Sequence, residues 1–424
     1  MKRCFILIVF LIVLISIVSA FLGCTRSPRE PLQTQIVFLE ELNESIISAK
    51  ALYDDENDFE VSIMPDGKSV SISRYLGEKS DVRIPSYIRN MPVAAIGYRA
   101  FLEKHLTSII IPNSITVIGD LAFAGNQLTS VLIPDSVTNI GEAAFYMNKL
   151  THLIVPESVT EIGNFAFSFN QLSYVGLSYG ITTIGQFAFH ENQLSNIVIP
   201  SSVTYIGRDA FSHNNFTNIV IPDSVTYLSG FFGNRLTKID IPDSVNIIGL
   251  QAFRSNQLEH IIIPDSVNII EGFAFEDNRL SSVKIPESVT IIERHAFFRN
   301  QLSAMIIPNS VTSIGSGAFR FNQLESVIIP DSITIIEDWT FHANKLSSVI
   351  IPGSVTNIGI SAFRDNPITS ITIGSNVRLG RQTHITEIGW AFSEDFDTFY
   401  IANGSLAGTY IYCEGGWKIN IFTP

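Results

Sequence analysis

Charge and cysteine are both scarce in this chain. Only 16% of its 424 residues are charged, and it has 3 Cys and 3 Trp. So few cysteines exclude a disulfide-dense scaffold. Cys4 lies inside an apolar leader, Cys24 ends it, and Cys413 stands alone near the C-terminus, where burial in a terminal cap is expected rather than a reactive thiol. No run of Lys or Arg occurs. The formal net charge is −13, or about −15 once Lys2 and Arg3 leave with the leader. That sign repels polyphosphate, so no nucleic-acid partner is expected. The chain also lacks a G-x-S-x-G, an H-E-x-x-H, a phosphate-binding loop and a paired-cysteine metal motif. The expectation is therefore no enzyme, no metal and no cofactor. Asp54-Asp55-Glu56-Asn57-Asp58 lacks the alternate ligands and central Gly of a calcium loop and reads as a solvated turn. What abounds is apolar: 46% hydrophobic residues with 30 Phe, which excludes intrinsic disorder.

Residues 1–23 begin with Lys2 and Arg3 and continue uncharged from Phe5 to Leu22, the pattern of a secretory signal. An uncleaved membrane anchor is the other reading of a run this long. Phe21-Leu22-Gly23-Cys24 resembles the bacterial lipobox, which implies lipidation of Cys24 and a lipid-anchored place in the cell envelope, exposed at the surface. Residues 24–35 read as a tether. The apolar spacing of Ile36, Leu39, Leu42, Ile46 and Leu52 predicts a short helix, and alternation from Glu60 to Ile72 around Asp66-Gly67 predicts a hairpin.

From 106 to 367 the sequence repeats twelve times, with a 22-residue period and one unit two residues short between Pro222 and Pro242. Counting from the proline of each unit, or from Ser178 in the one unit without it, Ile or Leu follows at six, then Phe, at eleven outside the short unit (Phe123, Phe145 and onward to Phe363). Each unit closes on Asn: Asn126, Asn148, Asn170, Asn192, Asn214, Asn234, Asn256, Asn278, Asn300, Asn322, Asn344 and Asn366. A unit this small cannot bury its own apolar face, but stacked units share one core. Residues three and one before the proline are predicted to face inward on a strand that the proline ends. The Phe column is predicted to stack on the opposite wall, and the Asn column to bond the backbone of successive turns as a structural ladder.

Ile-Pro-Asp-Ser-Val-Thr-x-Ile-Gly-x-x-Ala-Phe resembles the signature of the BspA-like leucine-rich repeats. Ile84-Pro85 and Val93 to Phe101 extend the likeness as an irregular first unit within an N-terminal cap at 36–105. The resemblance implies a right-handed curved solenoid, with short parallel strands on the concave face and a loop or short-helix convex face. For several family members it also implies adhesion to proteins of a host or a neighbouring cell. Beyond Pro367 the repeat decays through residues 368–392, and Phe396 to Ile419 is predicted to form two hairpins, around Asn403-Gly404 and Gly415-Gly416, that cap the last coil.

Two residues before the proline, where an outward column should be polar, nine of twelve units are apolar: Ile110, Leu132, Ile154, Val198, Val220, Ile262, Ile306, Ile328 and Ile350. Gly176, Asp240 and Lys284 are the exceptions, and the neighbouring small polar column is interrupted by His152, Tyr174, Lys238 and His260. One reading is that β-branched residues suit any strand. The other is a groove for an extended protein ligand or for a second copy of the chain, with Tyr174, Lys238, Asp240, His260 and Lys284 setting specificity. His152 and His260 sit five coils apart, ~24 Å at ~4.7 Å per coil, too far to share a metal, and the eight His are expected at the surface. The functional expectation is a non-enzymatic adhesion or protein-binding protein, with a self-associating envelope component as the alternative.

Overall fold

The computed structural model describes residues 53–380 and 390–421. The leader, Cys24, the tether, the 36–52 helix and most of the last repeat echo lie outside the described residues. The chain divides between Tyr53 and Asp54, and the fold belongs to the second unit, Asp54–Pro424.

It begins with a single 3-10 turn at Glu56–Asp58, capped by Asp55. Asp54 is held by Lys79 at 2.6 Å and accepts the Arg83 N–H. Two antiparallel strands follow, β1 (Phe59–Ile63) and β2 (Val70–Tyr75). Between them Asp66 accepts the N–H groups of Lys68 and Ser69, and Gly67 takes φ +64, a conformation that favours glycine.

Each coil then carries two short extended segments. The pre-proline segment forms only small parallel sheets, such as His152–Ile154 with Tyr174–Gly176 and Ala304–Ile306 with Ser326–Ile328. The second segment, after the turn, is only two residues long, yet from Val117–Ile118 to Ser313–Ile314 it supplies ten strands of a fourteen-stranded sheet that begins at β1. Ile335–Ile336, Asn357–Ile358 and Arg378–Leu379 repeat the pattern beyond it. The sequence pointed to the first ladder, but the continuous one is the second. Proline explains the difference, because it removes a donor at the end of this segment in eleven of the twelve units, Ser178 being the exception, whereas the second segment keeps all of its N–H groups.

The wall carrying the Phe column contains no helix among the described repeats; it is a succession of turns. Left-handed residues recur twice per coil, even at bulky side chains, as at Phe165 (φ 56) and Phe169 (φ 55). The Phe rings stack behind this wall from coil to coil, for example Phe145 on Phe167 at 5.4 Å and 4°. All twelve Phe of the column are fully buried or nearly so. Where the second strand meets the wall, coils touch closely: a Cβ on Gly163 would lie 2.6 Å from the backbone of Gly141.

At the C-terminus, one of the two expected hairpins is a helix, α1 (Glu394–Ala402), with Ser393 Oγ accepting the Phe396 N–H at 3.2 Å. Phe396 and Tyr400, one turn apart, are both buried. The other hairpin, Gly408–Cys413 with Gly416–Ile421, does form, and its first strand pairs antiparallel with Ser370–Ile373. It thereby covers the edge of the last pre-proline sheet. Cys413 is half-buried at the end of its strand rather than sealed in the cap.

Candidate functional site

The fourteen residues singled out on the pre-proline face lie on successive coils. Ile306 pairs in register with Ile328, Ile350 with Thr372, Ile154 with Gly176 and Arg83 with Ile110. Val220 bridges Asp240, and Ile262 bridges Lys284. Alternation puts the flanking apolar residues inward, Met305 and Ile307 for example, and the middle one outward. Eight of the nine apolar members are exposed, from 41% at Ile154 to 84% at Ile262, while Ile110 is half-buried. Lys238, Asp240, His260 and Lys284 are exposed; Tyr174 is half-buried, its ring 6.3 Å from His152 and its hydroxyl reaching over Gly176. The charged group from Lys238 to Lys284 interrupts the stripe, and Ile306, Ile328 and Ile350 form its longest run of consecutive exposed apolar members.

The Asn residues act where the Phe-bearing turns of each coil lead into the next pre-proline segment. The Asn148 Oδ1 accepts the Leu128 N–H at 3.1 Å, and its Nδ2 donates to the carbonyls of Phe123 (2.9 Å) and Phe145 (3.2 Å). The same geometry holds from Asn126 to Asn366. These side chains are structural ties. The turn serines also bond backwards, as from Ser136 Oγ to the carbonyl of Ile115.

The structure shows a second surface that the sequence reading missed. On the turn wall, rings from different coils meet outside the buried Phe column. Phe165 stacks on Phe187 at 4.8 Å, His213 meets Phe232 at 4.6 Å, and Phe298 meets Phe321 at 5.6 Å. Guanidinium groups lie over these rings, Arg294 above Phe273 (5.0 Å) and Arg320 above Phe321 (4.8 Å) among them. The His residues join this belt. His342 is buried, and His190 and His295 are half-buried, which corrects the expectation of surface histidines. Burial lowers the pKa of all three, assisted at His190 by His213 and at His295 and His342 by Arg320. The available signal was the surplus of aromatics beside the Phe column in some units, such as Phe165, Phe169, Phe187, Phe273 and Trp339.

The acids on this wall are largely committed. Glu276 pairs with Arg254 at 3.2 Å and Asp277 with Arg299 at 3.8 Å. Glu293 accepts the Gly272 N–H, and Asp338 accepts that of Ile360. Among the described residues, no cluster of His, Cys, Asp and Glu could hold a metal ion.

A family model described as the BspA type leucine rich repeat region (six copies) matches residues 94–217, 182–302 and 269–383. The fold is similar to that of the pneumococcal vaccine antigen PcpA, at 19% identity over 84% of this chain and 96% of that one, TM-score 0.55. A leucine rich cell surface protein from Faecalibacterium prausnitzii shares 21% identity over 85% of this chain and 98% of its own, TM-score 0.43. At such identities the likeness concerns the fold alone. No curated protein matches the chain.

Proposed function

Since the chain belongs to the BspA-type leucine-rich repeat family, we propose that it is a surface-anchored, non-enzymatic protein that binds other proteins along its pre-proline face. Leucine-rich repeat solenoids typically serve as binding scaffolds, with rigid coils presenting side chains at fixed spacing. The observation that carries the reading is the exposed stripe, densest at Ile306, Ile328 and Ile350 (69%, 59% and 70% exposed). An extended segment of a host or neighbouring-cell protein would lay apolar side chains along it, and the charged interruption at Lys238, Asp240 and Lys284 would set its register. Lipidation at Cys24, following the lipobox-like Phe21 to Gly23, would hold this face outside the cytoplasm.

The test is capture of proteins from host or neighbouring-cell extracts on the full chain, beside a variant carrying Ile306→Ser, Ile328→Ser and Ile350→Ser. Exposed changes of this kind alter stability by about 0.5 kcal/mol or less each, so the variant is expected to fold and to lose its partner. A folded variant that still captures the same partner sinks the proposal. If a differently tagged copy of the chain is the only partner, and the triple change releases it, the protein is a self-associating envelope component.

A further inference from the structure

The belt on the turn wall is independent of the stripe, and it holds two cations without a salt-bridge partner, Asp365 acting on Arg320 only from a distance. Among the described residues, Arg294 and Arg320 have no carboxylate within salt-bridge distance, in contrast to Arg254 and Arg299 beside them. Arg294 is exposed over Phe273. Arg320 lies among Phe298 (5.9 Å), Phe321 (4.8 Å) and Trp339 (5.8 Å). Its Nε is buried without a hydrogen-bond partner, so polar compensation is left to the outer tip of the guanidinium. Phe321 and Trp339 remain 40% and 38% exposed, large values for rings already in contact with neighbours. The group from Phe273 to Trp339 crosses three coil steps, roughly 15 Å at ~4.8 Å each.

We infer that this sector binds a carboxylate-bearing glycan, its sugar faces on Phe321 and Trp339 and its carboxylates on Arg294 and Arg320. The planar guanidinium fork matches a carboxylate, and the half-exposed rings offer flat apolar faces to the C–H side of a sugar. An acidic peptide fits less well, because the wall has no main-chain edge to offer an extended strand. The N–H groups of Phe273, Arg299, Phe321 and Trp339 already donate to carbonyls of the next coil, at 2.9–3.0 Å. No run of basic residues marks the site in the sequence, since its cations come from separate coils.

The full chain is titrated with a hexamer of galacturonate, a neutral hexamer of galactose and single-stranded DNA. The expected result is uronate binding tighter than about 1 mM, with the neutral sugar at least about tenfold weaker. Arg294→Gln, an exposed change, should weaken uronate binding about tenfold. Arg320→Lys, which keeps charge but loses the fork, should weaken it as well, while the Ile306, Ile328 and Ile350 triple variant should bind as the parent does. No uronate binding, equal binding of neutral sugar or DNA, or undiminished binding by Arg294→Gln would overturn the inference. Loss through the triple variant would also overturn it by placing the ligand on the other face, so the two proposals fail separately.

Discussion

A single amide performs three tasks in each coil. Asn170 receives the Leu150 N–H at 3.0 Å and gives its own N–H groups to Phe145 and Phe167, all in a buried setting. Asn170→Ala would leave the buried Leu150 N–H without an acceptor, while the Phe145 and Phe167 carbonyls keep the amides of Asn148 and Asn192, at a cost of about 1–3 kcal/mol. Asn170→Asp keeps the acceptor but sets a carboxylate against carbonyl oxygens. It is expected to be at least as damaging at neutral pH and to recover partly in acid, read by urea denaturation. The Asn column was legible from its period, since it fills all twelve units. Arg294, Arg320 and Trp339 were not, because they occupy columns whose residue type changes from coil to coil. Periodicity reveals what every unit needs and hides what only one sector has.

Among the elements, α1 is the clearest departure from the sequence reading. Aromatic and polar residues interleave in Phe396, Asp397, Thr398, Phe399 and Tyr400, and this resembles strand alternation, yet Ser393 and the following Glu394 and Asp395 supply a helix start. The buried Asp397 carboxylate reaches back to the N–H groups of Ala391 (2.5 Å) and Phe392 (3.2 Å), tying the helix to the end of the Phe stack. Burial raises its pKa to about 7 against the pull of those donors. The folded cap therefore holds a proton more tightly than the unfolded chain, whose Asp titrates near ~3.9. Its contribution to stability is full below that value and is lost as pH rises through 7. Hydrogen exchange of Gly408–Cys413 should accordingly report easier local opening at pH 8 than at pH 5, beyond the intrinsic rate change. Asp397→Asn should flatten that difference, and an unchanged profile in the variant would refute the assignment. The second ladder was half legible: its Ile column was plain, but a strand of two residues gives no alternation to read.

Across the molecule each coil contacts its neighbours, so cooperativity depends on every junction in turn. The widest step in the Phe stack lies at the short unit. There Phe231 and Phe253 are 6.2 Å apart, against 5.6 Å for Phe211–Phe231 and 5.6 Å for Phe253–Phe275. Phe231→Ala, costing about 3–5 kcal/mol, is expected to split urea unfolding into two transitions. Phe363→Ala near the end should only fray the last coils; a single sharp transition in both variants would contradict this nearest-neighbour picture. The Asn ties add a direction to the stack. Each amide closes its own unit and hooks the Phe carbonyl of the unit before it, as Asn148 does with Phe123, and it requires nothing from the unit that follows. The turn-wall N–H groups run the other way, as Phe145 donates to the Ala166 carbonyl, so each arriving coil hooks the one before it and completes that coil's wall. A duplicated stretch of 22 residues brings its own closure and its own hook, so gene duplication can lengthen this protein one whole coil at a time without redesigning either end.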